Sequence, residues 1–202
     1  MGIAKNSSDL DIFQQKKSLR KEFLEKRLAL SLDAISIASS KAVKALNALP
    51  FFDNLQKIAG YSAFKNEIDL TNFYLTHLKN PKEIFVPKFD VNLNSYSFAS
   101  IRDVPLIVGK YQVLEPFGDS SIINIEQAAN LIDVWLVPGL AFSRLGFRLG
   151  FGKGYYDTFL KAAKGIKIGV GYTWQLLDEL PITDNDIALD YLVLEENVIR
   201  IT

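Results

Sequence analysis

One stretch of the chain, residues 137–160, constrains the possible folds more than any other. The apolar residues that lead into it, 133–137, are typical of a buried strand, which Pro138 and Gly139 end because neither residue continues a sheet interior. A loop follows, with glycines at Gly146, Gly150, Gly152 and Gly154. Tyr155 then begins a helical pattern that runs to about Lys164. The stretch predicts a strand, a glycine loop and a helix, in that order.

A strand, a glycine loop and a helix can together hold a phosphate. Glycines let backbone N–H groups approach an anion, and the first turn of a helix adds unsatisfied N–H donors and a partial positive charge. Arg148 and Lys153 lie in the predicted loop and add full positive charges. The spacing matches neither the P-loop nor the G-x-G-x-x-G pattern. A glycine hairpin with two solvated cations is therefore the alternative.

The composition excludes several classes of function. The 202 residues carry a net charge of zero, so no overall field attracts nucleic acid or an anionic membrane. The chain has no cysteine, which excludes disulfides, zinc–thiolate sites and cysteine nucleophiles, and a single histidine excludes a multi-histidine metal site. No apolar run approaches the ~20 residues of a membrane span. We expect a cytoplasmic monomer with no nucleic-acid or membrane partner, in which residues 1–12 form a flexible leader and residues 13–202 a single domain.

The remaining patterns alternate between helices and strands. Helical patterns cover residues 14–30, 32–49 and 70–79, and Ser31 is a good N-cap for the second of them. Strand patterns cover residues 57–63, 83–87, 96–99, 166–172, 191–194 and 198–201. This order, with strands rich in Val, Ile and Leu, predicts an α/β fold in which helices cover a mainly parallel sheet.

The first predicted helix is basic. Lys16 and Arg20 lie four residues apart, so they project from one face, one turn from each other. Like charges at this spacing repel unless an anion lies between them. The pair indicates either a phosphate contact or a solvated basic face.

Two more groups of residues follow predicted strands or loops. Phe64 and Glu67 come after strand 57–63, where α/β sheets bind ligands; a core Phe and a surface Glu are the alternatives. Asp157 lies on the first turn of the helix after the glycine loop, and Asp186 lies in an acidic turn, 180–186. One or two carboxylates suit a nucleotide-bound Mg²⁺, but Asp157 could equally cap its own helix. Asp184 and Asp190 are alternatives to Asp186.

Several segments resemble one known family. RLGFGKGYYDTFL after VPGLAF, the opening KKSLRKEFLEKRL, and the segment 111–116 with its Glu-Pro pair are similar to the 5-formyltetrahydrofolate cyclo-ligases, also called methenyltetrahydrofolate synthetases. The resemblance covers nearly the whole chain after Lys16. It implies a Rossmann-like, three-layer α/β/α fold. It also implies an enzyme that uses ATP and Mg²⁺ to cyclise 5-formyltetrahydrofolate, with or without a polyglutamate tail, to 5,10-methenyltetrahydrofolate. ADP and phosphate would be released, and the intermediate would be an N5-iminium phosphate.

The resemblance assigns roles to individual residues. The phosphates would be held by Lys16, Arg20, Arg148 and Lys153, of which Arg148 or Lys153 offsets charge on the transferring phosphoryl group. Backbone donors would come from Gly150, Gly152 and Gly154, with Tyr155 beside them. Mg²⁺ would be held by Asp157 and Asp186. The folate side would be shaped by Phe64, Glu67, Tyr111 and Tyr156, together with Tyr155.

The chain departs from the family pattern at three positions, Ser143, Phe147 and Asn185, none of which is a predicted phosphate or metal ligand. Two other functions are weighed against the enzyme. One is a non-catalytic nucleotide- or folate-binding relative that kept the pocket. The other is a sugar-phosphate-binding sensor or isomerase on a similar sheet, which would need neither the basic first helix nor Glu67.

Overall fold

The structure is a computed structural model that describes residues 7–79, 81–90, 95–102, 104–108, 114–117 and 121–201. The α-helices within these residues are α1 (Ser7–Leu28), α2 (Leu32–Asn47), α3 (Thr71–Leu78), α4 (Ile125–Leu131) and α5 (Tyr155–Lys161). The strands are β1 (Lys57–Ala59), β2 (Glu83–Asp90), β3 (Ser95–Ser100), β4 (Leu106–Val108), β5 (Leu114–Pro116), β6 (Ile122–Ile123), β7 (Val134–Pro138), β8 (Ala141–Ser143), β9 (Arg148–Leu149), β10 (Ile166–Gly171), β11 (Leu176–Leu177), β12 (Tyr191–Leu194) and β13 (Asn197–Arg200). Among these residues, no helix is both long and apolar enough to cross a membrane.

Eight strands form the central sheet, in the order β13-β12-β10-β7-β1-β2-β3-β6. Strands β12, β10, β7, β1 and β2 run parallel to one another, and β13, β3 and β6 are added at the two edges, each antiparallel to its neighbours. The predicted mainly parallel sheet is confirmed. Two smaller sheets stand apart from it: β11-β8-β9 and the β4-β5 pair.

Helices cover both faces of the central sheet because the strands are apolar on both faces. In β7, Val134 and Leu136 point to the face covered by α2 and α3, while Trp135 and Val137 point to the face covered by α4 and α5. The same alternation occurs along β1, β2 and β12. The predicted three-layer α/β/α arrangement is therefore confirmed.

Several predicted elements have the expected positions. The hydroxyl of Ser31 accepts a hydrogen bond from the Ala34 N–H (3.2 Å), so Ser31 caps α2 as predicted. Strands β2 and β3 contain the predicted strand residues 83–87 and 96–99, and they pair antiparallel. Helix α1 begins at Ser7, however, well before the predicted residue 14, and so occupies half of the predicted leader.

The strand predicted over residues 57–63 is shorter than expected and ends at Ala59. The reason is a side chain from α3: the Tyr74 hydroxyl accepts a hydrogen bond from the Tyr61 N–H (2.9 Å) and donates one to the Tyr61 carbonyl (2.8 Å). The backbone of residue 61 thus bonds to a tyrosine instead of a neighbouring strand. The chain then turns through Lys65 and Asn66, which both have positive φ.

The sequence analysis missed α4, although its N-terminus carries a clear signal. Asn124 and Gln127 form a capping box, in which each side chain bonds the backbone N–H of the other residue (2.8 and 2.9 Å). It also missed β8 and β9, which form an antiparallel hairpin inside the segment predicted as a glycine loop. That hairpin is what positions the candidate site.

Candidate functional site

A cavity of about 360 Å³ opens beyond the carboxyl ends of β1 and β7, which are neighbours in the central sheet. The connection from β1 to β2 passes through α3 on one face, and that from β7 to β10 passes through α5 on the other. The two connections therefore leave in opposite directions, which is the position where open α/β sheets bind ligands.

The cavity brings together thirteen of the residues that the sequence singled out: Lys16, Arg20, Phe64, Glu67, Arg148, Gly150, Gly152, Lys153, Gly154, Tyr155, Tyr156, Asp157 and Asp186. They come from four separate parts of the chain. Tyr111, the remaining candidate, lies outside the described residues. Asp184 and Asp190, the alternatives to Asp186, do not line the cavity.

The glycine segment is a strand followed by a tight turn. Arg148 belongs to β9, where it pairs with Phe142 of β8, so the expectation that it lies in a loop is wrong. Gly152 and Gly154 have φ of 88° and 72°, the left-handed region in which a side chain is strained. Gly154 is the N-cap of α5 and has no side chain to satisfy the first N–H groups of the helix. Those donors are consequently available to a ligand.

Helix α1 is fastened to this turn by two of its basic residues. The Arg20 Nε donates a hydrogen bond to the Gly150 carbonyl (2.9 Å). The Lys16 Nζ lies 2.5 Å from the Asp186 Oδ2, so it joins α1 to the acidic turn. Asp186 also accepts hydrogen bonds from the Thr183 N–H and hydroxyl (2.6 and 3.0 Å). The two predicted phosphate contacts of α1 thus flank the glycine turn from one side.

Arg148 is the third basic residue beside the glycine turn. Its side chain is only 5% exposed, its Nη2 lies 3.1 Å from the Asp157 Oδ1, and its guanidinium lies over the Tyr156 ring at 5.0 Å. Its Nε is buried without a hydrogen-bond partner in the described chain. A buried, unpaired N–H favours an incoming acceptor, because leaving it unpaired costs free energy. Lys153, by contrast, is exposed at the cavity rim.

The two acidic candidates fit a nucleotide-bound cation. Burial lowers the pKa of Arg20 and of Arg148, and Asp157 and Asp186 both oppose that effect, so both carboxylates lie within electrostatic reach of the same guanidinium groups. Among the described residues, neither Asp157 Oδ2 nor Asp186 Oδ1 accepts a hydrogen bond, and no cluster of three or more acidic or histidine side chains suits a metal. Two free carboxylate oxygens suit Mg²⁺ that takes its other ligands from phosphate and water, not an all-protein cage.

The same cavity also contains a buried carboxyl group. Glu67 is 7% exposed, and its Oε2 accepts a hydrogen bond from the Phe64 N–H (3.1 Å). Burial raises the pKa of Glu67 to about 7, although Arg27, the Phe64 N–H and Arg148 all favour the ionised form. Because Glu67 is buried, the surface alternative for this residue is wrong. The carboxyl can accept paired N–H donors from a ligand ring.

Aromatic rings also line this cavity. Phe64 lies 6.0 Å from Phe151, measured between ring centroids, and Tyr155 lies 4.5 Å from Tyr96. Tyr156 contacts Phe159 at 5.5 Å. Such walls suit a flat heteroaromatic ligand. Tyr155 and Tyr156 also pack against the core, so packing and cavity lining are combined in these two residues.

Sequence reasoning missed several cavity or supporting residues: Arg27, Tyr61, Tyr96, Glu115 and Phe151. A signal existed for Arg27, since Lys16, Arg20, Phe23 and Arg27 follow the helical spacing i, i+4, i+7 and i+11. Glu115 is 9% exposed; burial raises its pKa, and the Phe89 N–H lowers it. The local sequence gave no signal for that burial.

Comparison with known proteins identifies a family. The model of the 5-formyltetrahydrofolate cyclo-ligase family matches residues 12–195. The mitochondrial 5-formyltetrahydrofolate cyclo-ligase of Arabidopsis thaliana is 31% identical, covering 98% of this chain and 81% of the relative. The 5-formyltetrahydrofolate cyclo-ligase of Mycoplasma pneumoniae is 31% identical over 90% of this chain and 99% of the relative.

Solved structures agree with the sequence comparisons. The 5,10-methenyltetrahydrofolate synthetase of Aquifex aeolicus superimposes with a TM-score of 0.80 at 40% identity, covering 92% of both chains. The corresponding enzyme of Mycoplasma pneumoniae gives a TM-score of 0.71 at 30% identity, covering 90% of this chain and 99% of that one. The likeness thus extends over almost the entire chain.

Proposed function

The chain belongs to the 5-formyltetrahydrofolate cyclo-ligase family, and from this membership we propose that it converts 5-formyltetrahydrofolate to 5,10-methenyltetrahydrofolate. In this proposal ATP is the second substrate, Mg²⁺ is required, and ADP and phosphate are released. The observation that carries the proposal is one cavity whose lining combines cationic side chains, a glycine-rich turn, a buried carboxyl group and aromatic rings.

The proposed reaction has two steps. First, the oxygen of the N5-formyl group attacks the γ-phosphorus, and the bond from that phosphorus to the β,γ-bridging oxygen breaks to release ADP. The product is an N5-iminium phosphate. Second, N10 of the folate attacks the activated carbon, and the carbon–oxygen bond to phosphate breaks. Phosphate leaves with the former formyl oxygen, and the proton from N10 balances its charge.

The nucleotide would bind beside the cationic side chains and the glycine turn. Lys16, Arg20 and Arg148 are held there by contacts to Asp186, Gly150 and Asp157, so their charges are in place before a ligand binds. Preorganised charges of this kind stabilise a phosphoryl-transfer transition state without reorganisation. We assign Arg148 or Lys153 to the charge on the transferring phosphoryl group. The N–H groups of Gly150, Gly152, Gly154 and Tyr155 are assigned to phosphate oxygens.

Asp157 and Asp186 would hold Mg²⁺, each through the oxygen that has no protein partner among the described residues. When bound, the ion would supply positive charge to phosphate oxygens. The two carboxylates would also orient Arg148 and Lys16, which they contact directly.

The folate would bind beside Glu67 and the aromatic side chains of the cavity. Glu67 would accept the adjacent N–H donors of the 2-amino-4-oxo pterin ring, and Phe64, Tyr155 and Tyr156 would contact the ring faces. Tyr111 remains a proposed folate contact on the family resemblance alone. A polyglutamate tail, the monomeric state, a single domain at 13–202 and a cytoplasmic location also remain parts of the proposal that rest on the sequence.

The test is a direct assay. Purified protein is mixed with 5-formyltetrahydrofolate, ATP and Mg²⁺, and the near-ultraviolet absorbance of methenyltetrahydrofolate is followed. Lys153→Ala and Asp157→Ala are assayed beside the wild type. Lys161→Ala is the matched control, because Lys161 is an exposed lysine on α5, the helix that carries Asp157. We expect absorbance to rise only with both ATP and Mg²⁺ and to collapse in the first two variants alone.

The other outcomes distinguish the alternatives. Binding of ATP or folate without turnover would favour a non-catalytic relative. Binding of neither would overturn the proposed function and leave a sugar-phosphate protein to be considered.

A further inference from the structure

Arg27 is buried although its side chain carries a charge. It is 1% exposed, the lowest value of any charged residue in the described parts of the chain. Isolated charges are costly to bury, so such residues are retained where their hydrogen bonds organise the surrounding structure. Arg27 is not a cavity-lining residue, and nothing in the proposed reaction requires it to touch a substrate.

The contacts of Arg27 join three separate segments. Its Nε donates a hydrogen bond to the Lys65 carbonyl (2.8 Å), and its Nη1 donates one to the Gly139 carbonyl (3.0 Å), just beyond β7. Its Nη2 lies 3.5 Å from the Glu67 Oε1, and its guanidinium lies 5.4 Å from the centre of the Phe151 ring. Helix α1 is thereby tied to the loop after β1, to the end of β7 and to the glycine turn.

The loop that carries Glu67 needs such an anchor. Lys65 has φ of 50° and Asn66 has φ of 58°, a conformation that costs free energy for residues other than glycine. Arg27 bonds the backbone inside this strained turn, and the side-chain amide of Asn66 donates a hydrogen bond to the Arg27 carbonyl (3.2 Å). The same residue therefore fixes the turn from its side chain and from its backbone.

We infer that Arg27 is a positioning residue for Glu67: its guanidinium fixes the strained turn at Lys65 and lies 3.5 Å from the Glu67 carboxyl, so that this group is correctly oriented toward the cavity. The inference rests on the proposed function, in which Glu67 receives the folate ring. It assigns to α1 a second task besides phosphate binding.

The charges around Glu67 support this role. The charged groups that act on it are Arg27 from α1 and Arg148 from β9, and the phenols around it are Tyr61, Tyr74, Tyr156 and Tyr172. Burial raises the pKa of all four phenols, so they stay neutral near pH 7. Burial raises the pKa of Glu67, and Arg27 is the largest influence that opposes it. Removing Arg27 should consequently raise the pKa of Glu67 further.

The test measures 5-formyltetrahydrofolate binding by isothermal titration calorimetry from pH 6 to pH 9. The proteins are the wild type, Arg27→Met, Arg27→Lys, Glu67→Gln and Lys21→Met, an exposed lysine on the same helix that serves as the matched control. At pH 7.5 we expect Arg27→Met to bind about tenfold more weakly than wild type. Its binding should recover at higher pH than that of the wild type. Arg27→Lys keeps the positive charge but loses the fixed donor geometry of the guanidinium group. It should bind the folate more weakly than the wild type, with a smaller shift of the pH midpoint than Arg27→Met shows.

A second measurement needs no folate. The carboxyl ¹³C resonance of Glu67, assigned by its loss in Glu67→Gln, is titrated in the wild type, in both Arg27 variants and in Lys21→Met. We expect the midpoint to move to higher pH in Arg27→Met and to stay unchanged in Lys21→Met. Weak folate binding by the wild type together with this shift would count against the proposed function but support the positioning role.

The outcome that overturns the inference is an Arg27→Met protein that is folded by circular dichroism and keeps the wild-type affinity and both wild-type midpoints. If Arg27→Met does not fold, Arg27→Lys decides, because unchanged affinity and midpoints in that variant would be equally decisive against it.

Discussion

The Lys16 ammonium group lies 2.5 Å from the Asp186 Oδ2, although 170 residues separate the two in the chain. Both side chains are mostly buried, at 12% and 14% exposure. A residue proposed for phosphate binding is thus paired with one proposed for Mg²⁺ binding. Arg148 and Asp157 repeat the arrangement at 3.1 Å. Two of the proposed phosphate-binding side chains, Lys16 and Arg148, are consequently held in place by carboxylates before any ligand arrives.

Removal of Lys16 should weaken the interaction with the nucleotide but not that with the folate. We expect Lys16→Met to raise the KM for ATP about tenfold, the effect of losing one charge-assisted hydrogen bond, with little change in the KM for the folate. Steady-state kinetics with each substrate varied in turn will measure both constants. Lys17→Met, at an exposed neighbouring position, is the control. Equal increases in both KM values would contradict a nucleotide-specific role.

Loss of either acidic side chain should weaken the binding of Mg²⁺. We expect Asp157→Asn and Asp186→Asn each to raise the Mg²⁺ concentration for half-maximal activity about tenfold or more, since even the outer partners of metal sites contribute this much. Asp184→Asn, at an exposed position in the same acidic turn and outside the cavity, should behave as the wild type. A titration of activity against Mg²⁺ at fixed ATP measures this. An effect of Asp184→Asn in place of Asp186→Asn would reassign the ligand.

Gly154 tests the conformation of the turn separately from its space. Its φ is 72°, and no atom lies within 4 Å of the position that a Cβ would take, so a substitution is strained but not obstructed. We expect Gly154→Ala to lower the free energy of unfolding by about 1 kcal/mol and Gly154→Asn by less, because asparagine tolerates the left-handed region better. Urea denaturation measures both. Equal stability of all three proteins would show that the turn relaxes.

Glu67 should leave a signature in the pH dependence of stability. Its pKa is raised from 4.5 to about 7, so the folded state binds more protons than the unfolded state between these values. The contribution of Glu67 to the free energy of unfolding should therefore fall as the pH rises from 4.5 to 7, by up to about 3 kcal/mol, and stay level above pH 7.

The corresponding measurement is urea denaturation at a series of pH values, for the wild type and Glu67→Gln. The variant should lose this part of the pH dependence. If both proteins show the same slope between pH 4.5 and pH 7, Glu67 does not titrate in that range.

Several elements follow from local signals in the sequence. Ser31 caps α2 because an N-cap needs only a hydroxyl near the first turn, and the two-faced apolar pattern of β7 requires helices on both sides of the sheet. The glycine turn before α5 was likewise predictable from the sequence. Gly152 and Gly154 have positive φ there, a conformation that glycine adopts without steric cost.

Which of these features meet depends on how distant elements pack together. Burial and charge at a site depend on side chains that arrive from distant elements, and no local pattern records them. Glu67 becomes a buried carboxyl because α1, β7 and β9 close around it, and Arg27 becomes its partner across 40 residues of sequence. The Lys16–Asp186 pair and the strand at Arg148 likewise exist only once α1, the acidic turn and β8 have packed together.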